Sequence, residues 1–365
     1  MQIIEHKLDE ITLKYPLENI APLKDILFLD IETTGFTAKN SKLYLIGCVY
    51  YKEDSFNTIQ FFAEDYSDEK ELLDEFFRFM KDFKVIIQFN GNNFDIPYIL
   101  GKCAEFNLEY NFDTCVGIDL YKRISPYKAF LKLENCKQKT IEKFLKIDRE
   151  DIYSGGDLIV IYNEYVASKD EEKLKLLLLH NFEDIKGMLE ILPILSYCDL
   201  FDKKLTVTKA SASTFTDSEG KNHTELLLYF DLPSQFVTPI SFLKDNCYFA
   251  ASKESGMLRV PIYEEEMKYF YANYKDYYYL PSEDMAVHKL VASYVDKEHR
   301  VPAKASTCYT KLASKFLPQW DALVTPFFKR DYSSKELFYE LTDERKTDRE
   351  MFSQYVTHVL EHMVK

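Results

Sequence analysis

A chain of 365 residues with 46% apolar side chains is too apolar for disorder and too long for one ordinary core, so a large domain with a smaller companion is expected. Seven cysteines, at 48, 103, 115, 136, 198, 247 and 308, include no CxxC pair, which excludes a zinc ribbon, and their odd number beside a charged amino terminus without an apolar leader points to a reducing, cytoplasmic setting. No run reaches the ~18 apolar residues of a membrane span, and a net charge of −14 at first argues against a nucleic-acid partner, without deciding the matter.

Residues 1–24 read as a lead-in with a short helix, closing near Pro22. "ILFLDIE" (26–32) is a short buried strand ended by a Thr-Thr-Gly turn. "LYLIGCVYY" (43–51) and "TIQFFA" (58–63) follow on short loops, as in an antiparallel meander. The amphipathic pattern of 67–83 predicts a helix with Ser67 as N-cap. "VIIQF" (85–89) is a buried strand, a helix runs from about Phe94 to Phe106, and "TCVGIDL" (114–120) is one more strand. The remainder to 195 is mostly helical. This order, β-β-β-α-β-α-β-α, suits a mixed sheet with helices on its faces.

Charge is spread unevenly over this half. Residues 1–200 hold 24 Lys and Arg against 36 Asp and Glu, yet residues 122–146 hold eight Lys and Arg against two Glu. That basic stretch, with Lys122, Arg123, Lys128, Lys132, Lys137 and Lys139, can track a phosphate backbone or simply form a solvated helix face. An excess of acids is also what a protein carries when bound cations complete its charge balance.

Three stretches carry chemistry. Asp30 and Glu32 in "FLDIETTG" stand two apart on a strand and so point to one face. Such a pair repels unless it is protonated or bridged by a cation, and oxygen ligands favour Mg²⁺ or Mn²⁺. The same spacing recurs at Asp148/Glu150, Asp217/Glu219 and Asp296/Glu298, but in polar contexts that read as solvated surface. In "FNGNNFD" (89–95), Asp95 falls in the first turn of a helix, where it serves as a capping acid or a third metal-site carboxylate. In "HNFEDIKGM" (180–188), His180 and Asp184 stand four apart on a helix, about 40° apart in azimuth, and face one way. They form either a surface pair or part of a site beside the apolar face of Leu176, Leu177, Leu179 and Met188.

Taken together, D-x-E on the first strand, N-x-x-x-F-D at a strand-to-helix turn and H-N-x-x-D on a late helix resemble the three motifs of the DEDD superfamily of RNase H-like 3′–5′ exonucleases. The middle motif is similar to that of the proofreading domain of family B DNA polymerases, and the whole run resembles the YprB-like branch of predicted exonucleases, with "KQKTIEKFLKI" (137–147) and "YSGG" (153–156) in support. The resemblance implies an RNase H-like domain over 25–198, after a lead-in of 1–24. It implies Asp30, Glu32, Asp95 and Asp184 as ligands of two divalent cations, Mg²⁺ or Mn²⁺, with Asp30 bridging ions about 4 Å apart. His180 would orient or deprotonate the attacking water. Asn90 and Asn181 would hold the scissile nucleotide or the carboxylates, and Lys137 and Lys139 would contact the nucleic acid. The two main subclasses carry Tyr four residues before the last acid or His five before it; this chain has His at the tyrosine's place, which leaves the water-activating role open.

Beyond a break near 199–204, residues 199–365 read as a smaller mixed α/β accessory domain that could take a protein partner. "LTVTKASAST", "HTELLLYFDLP" and "MLRVPIY" alternate like strands with one exposed face, 282–300 reads as one helix capped by Ser282, and the last thirty residues look helical. "KYFYANYKDYYYLP" (268–281) holds seven aromatics in fourteen residues, a base-stacking platform or a packed core. The expected activity is a 3′–5′ exonuclease on single-stranded DNA or RNA. The alternatives are a structure-selective endonuclease of the same fold and an inactive module that binds nucleic acid or protein.

Overall fold

The computed structural model describes residues 1–8, 11, 13–148 and 155–365. They form two compact units, Met1–Asp199 and Leu200–Lys365. The first unit is built on a six-stranded sheet of β1 (Gln2–Lys7), β2 (Ile26–Thr33), β3 (Leu43–Lys52), β4 (Ser55–Phe62), β5 (Val85–Gln88) and β6 (Val116–Asp119). Its helices are α1 (Glu69–Met80), α2 (Asp95–Glu105), α3 (Leu120–Ile124), α4 (Gln138–Leu145), α5 (Gly155–Ser168), α6 (Glu171–Glu190) and α7 (Leu195–Asp202), the last crossing the boundary between the units. The strand order is β1-β4-β3-β2-β5-β6. β1 to β2 pair antiparallel through their neighbours, whereas β2, β5 and β6 run parallel. This is the expected mixed sheet flanked by helices.

Strand alternation divides β2 between two environments. Leu27, Leu29 and Ile31 lie in one apolar cluster with Leu72 and Phe76 of α1 and Ile99 of α2. Asp30 and Glu32 point to the other face, where α6 packs across β2, β3 and β4. α6 is stopped at its start by Asp170, whose carboxylate accepts the Glu172 N–H at 2.9 Å.

Two expectations for this unit are corrected. Among its described residues, the lead-in's short helix is present only as 3₁₀ turns at Leu17–Asn19 and Leu23–Asp25, and the lead-in also contains an edge strand, Gln2–Lys7, paired with β4. An edge strand with most side chains solvated lacks the apolar alternation that betrays inner strands. Helix α1 begins after Asp68 rather than Ser67; the Asp68 carboxylate gathers the N–H groups of Glu64 and Asp65 and the terminal ammonium of Met1. Glu150, and Tyr153 and Ser154 of "YSGG", lie outside the described residues.

The second unit is mainly β. Its strands are β7 (Thr206–Thr216), β8 (Asn222–Lys244), β9 (Cys247–Phe270), β10 (Tyr277–Leu280), β11 (Met285–His288), β12 (Val301–Pro302), β13 (Tyr309–Gln319), β14 (Phe327–Phe328) and β15 (Leu337–Glu340), with the helices α8 (Lys289–Ala292) and α9 (Arg349–Val364). A six-stranded antiparallel sheet has the order β14-β15-β13-β9-β8-β7, and α9 packs on β7, β8 and β9. β11-β10-β12 form a second, small sheet.

The single helix expected over 282–300 is replaced by β11, α8 and a 3₁₀ turn. Short apolar runs do not separate strand from helix by period, and here pairing of Met285–His288 with Tyr277–Leu280 decides the matter. The last thirty residues are likewise part strand and part helix. In the aromatic stretch, Tyr271, Tyr274, Tyr277 and Tyr279 pack on Ala286, Ala303 and Cys308, with Tyr271 stacked on Tyr277 at 4.6 Å. These four rings therefore belong to a small core.

Candidate metal centre

The site begins where two strands part. β2 pairs with β5 only as far as Phe28 and Ile87. Beyond that point β5 ends, and the next strand edge of β2 is met by a side chain: Asp95, the first residue of α2, accepts the Ile31 N–H on Oδ1 at 3.2 Å. A buried carboxylate thus takes the place of a missing ladder partner, directly between Asp30 and Glu32 in the chain.

The turn that delivers Asp95 is held from below. Asn90 adopts a left-handed conformation with φ of 61°. Gly91 lies so close to Gln88 that a Cβ there would meet its Oε1 at 2.5 Å. Buried Asp119, at the end of β6, accepts the N–H of Asn90 at 3.0 Å and Lys122 at 3.2 Å on one oxygen and that of Asn92 at 3.2 Å on the other. Sequence reasoning passed over Asp119. Its signal was an acid between a strand and a helix, the N-cap position of α3.

α6 contributes the remaining groups. His180 Nε2 stands 3.1 Å from Asp184 Oδ2 and 3.5 Å from Glu32 Oε1, and the ligand atoms of these three residues lie within 4.8 Å of one another. Asp30 lies beside them, its Oδ2 accepting the Asn181 amide at 3.0 Å. Asp30, Glu32, Asp95, His180 and Asp184 therefore meet at one place, although they come from three separate stretches of the chain.

The other expected residues fall around this cluster. Asn90 is half-buried, and its side chain accepts from Asn93 at 2.8 Å. Of the two roles expected for Asn181, the structure shows the hold on a carboxylate and not the substrate contact: it is wholly buried, with both ends of its amide engaged, one of them on Asp30. Lys137 and Lys139 are exposed and flank Gln138, whose amide donates to the Asp184 carbonyl at 3.0 Å. Gly187, one turn after Asp184, admits α4 at this crossing; a Cβ there would meet Gln138 and Glu142 at 2.7 Å. Phe36, just beyond the Thr-Thr-Gly turn, is 90% exposed and was not singled out from the sequence.

The electrostatics are those of crowded acids. Burial first, then the charges of Asp184, Asp95 and Glu32, push the Asp30 carboxyl well above the usual carboxylate range, against the opposing hydrogen bond from Asn181. Burial likewise pushes Asp95 up to about 7, with Asp119 adding to the rise and the N–H groups of Asp95 and Ile31 opposing it. A dication relieves this kind of strain, and a set of carboxylates with one imidazole fits Mg²⁺ or Mn²⁺.

Residues 27–196, within the first unit, match the family model of the RNase_H superfamily. Over 127 residues, 26% of this chain, the sequence is 29% identical to DNA polymerase 1 of Sulfurisphaera ohwakuensis, and it spans only 15% of that polymerase. Among solved structures, the family B DNA polymerase of Pyrobaculum calidifontis is similar at 17% identity and a TM-score of 0.38, over 47% of this chain and 25% of that one. E. coli exonuclease I in complex with a dT13 oligonucleotide is similar at 11% identity and a TM-score of 0.30, over 57% and 55% of the two chains.

Proposed function

We propose that the first unit is a metal-dependent nuclease, a 3′–5′ exonuclease acting on single-stranded DNA or RNA. The observation that carries this reading is the meeting of Glu32 and Asp184 on His180, with Asp30 crowded by the charges of Asp184, Asp95 and Glu32. Asp30, Glu32 and Asp184 would hold divalent cations, with Asp95 completing the set; two such ions, when bound, neutralise a phosphodiester and acidify a water molecule. The chain's own part is to supply and aim the acids and to hold His180, whose Nε2 faces Asp184 and Glu32, where it would orient the attacking water. Hydrolysis then joins a water oxygen to phosphorus and breaks the bond to the 3′-oxygen, which leaves as a hydroxyl once protonated.

The substrate strand would run along the basic segment. That segment is anchored at both ends to the site: Asp119 at its start holds the turn before Asp95, and Gln138 near its end holds the carbonyl of Asp184. Lys122, Lys128, Lys132, Lys137 and Lys139 are all exposed along it. Exposed Phe36 offers a ring for base stacking.

The test is digestion of 5′-labelled and 3′-labelled single strands of DNA and RNA with Mn²⁺, wild type beside Asp30→Ala and His180→Ala. The expected result is a ladder from the 5′ label and early mononucleotide from the 3′ label, both lost in Asp30→Ala. Internal cuts without an end preference would make it an endonuclease. Binding without cutting under any metal would make the unit a binding module.

A further inference from the structure

Three strands place Asp30, Gly47 and Gln60 side by side: Asp30 pairs with Gly47 and Gly47 with Gln60. Asn181 of α6 lies across this row. Its Nδ2 donates to Asp30 Oδ2 at 3.0 Å, and its Oδ1 accepts from Gln60 Nε2 at 2.9 Å. The middle of the row must be empty for this to happen, since a Cβ on Gly47 would stand 1.9 Å from Asn181 Oδ1.

An amide can present either end, so something must choose which end Asn181 shows to Asp30. The choice is traced to a backbone carbonyl. Gln60 Nε2 also donates to the Leu178 carbonyl at 2.9 Å. A carbonyl oxygen only accepts, so the nitrogen of Gln60 must face α6. That donor attracts the Asn181 oxygen, and the Asn181 nitrogen is left facing Asp30. Gln60 is 1% exposed and Asn181 is 0% exposed, so water cannot substitute for a lost partner.

We propose that Gln60 and Asn181, through the gap at Gly47, are positioning residues that fix the orientation of the Asp30 carboxylate for cation binding. This rests on reading the acid cluster as a cation site. Gln60→Glu is the sharpest probe. At alkaline pH it turns both donors into acceptors, which face the Leu178 carbonyl and the Asn181 oxygen; Asn181 then reverses and shows its oxygen to Asp30. Gln60→Met has similar length and only removes the donors.

The experiment measures Mn²⁺ affinity by electron paramagnetic resonance for wild type, Asp30→Ala, Gln60→Met and Gln60→Glu. Thermal midpoints in EDTA, and hydrolysis of a p-nitrophenyl ester of a nucleoside monophosphate, are recorded alongside. Outer-shell partners of metal ligands are worth about 10- to 100-fold in affinity or activity. The expected order of cation affinity is wild type, then Gln60→Met, then Gln60→Glu, with the loss in kcat rather than KM. Affinities that follow only the thermal midpoints, or that match wild type in Gln60→Glu, would overturn the positioning role while leaving the cation site intact. Equal Mn²⁺ binding by wild type and Asp30→Ala would instead overturn the cation site itself, and the proposal with it. If Gln60→Glu does not fold, Gln60→Met against wild type decides the question.

Discussion

The two six-stranded sheets treat their acids in opposite ways. In the antiparallel sheet of the second unit, acids of β9 meet cations of the same unit: Glu264 pairs with Lys315, Glu266 with Lys311 and Glu265 with Arg330. Asp284 beside that sheet is pulled well below the usual carboxylate range, chiefly by Lys311 and also by the hydroxyls of Tyr279 and Tyr309. In the mixed sheet of the first unit, Asp30 is driven the other way by burial and by three further acids. Acids matched by cations of the same chain hold a surface together. Acids crowded against one another in a half-buried cluster cost stability unless a cation arrives from solution.

The largest effect that would sharpen this contrast is on the crowded side. Asp30→Ala should lower Mn²⁺-dependent cleavage on the order of a thousand-fold, as expected when a principal electrostatic group of a site is removed. The quantity to measure is single-turnover digestion, and near-normal cleavage would break the comparison outright. Gly47→Ala should follow, because its methyl group claims the space of Asn181. Overpacking costs typically about 1–3 kcal/mol, and displacement of Asn181 should weaken Mn²⁺ binding about 10- to 100-fold; calorimetry and metal titration read the two separately.

A smaller effect tests the strand path. Neutralising Lys122, Lys128 and Lys132 together should flatten the plot of log affinity against log salt by about 0.7 per lost phosphate contact on a single strand. Hydrolysis of a small nucleotide ester should stay the same. An unchanged slope would move the strand off this segment.

The pH dependence follows from Asp95 and Asp30. Their folded-state pKa values are raised, from 3.8 to about 7 for Asp95, so between these limits the folded state binds more protons than the unfolded one. Without cations, stability should therefore be fully expressed near the acid limit and fall as pH rises from 3.8 toward about 7. Stabilisation by added Mn²⁺ should grow over the same interval, because only ionised acids bind it. Melting curves across that interval, with EDTA or Mn²⁺, check both statements; a metal-free midpoint that rises with pH would contradict the crowding. The smallest effect lies in the second unit: Asp284→Ala should lower the thermal midpoint while leaving Mn²⁺ affinity unchanged.

The sequence made the inner strands of the first unit legible because each is a short apolar run with a clear turn after it. It made the acids legible because two-residue and four-residue spacings convert directly to a shared face on a strand and on a helix. The second unit was harder to read. Met285–His288 carries too few residues to declare a period, and its partner strand decided its form. Tyr271, Tyr274, Tyr277 and Tyr279 could stack bases or fill a core, and the cluster around Cys308 decided that they pack.

What the chain determined by itself is the chemistry: which residues are acidic, which are apolar, and how far apart they stand along one strand or one helix. What only the tertiary structure decided is who meets whom across elements. Asp119 beneath the Asn90 turn, Asp95 on the open edge of β2, and Gln60 reaching Asn181 over Gly47 join residues 29, 64 and 121 positions apart. Local spacing carries no information about such contacts, because strand order, register and the closeness of α6 to the sheet arise from packing of the whole unit.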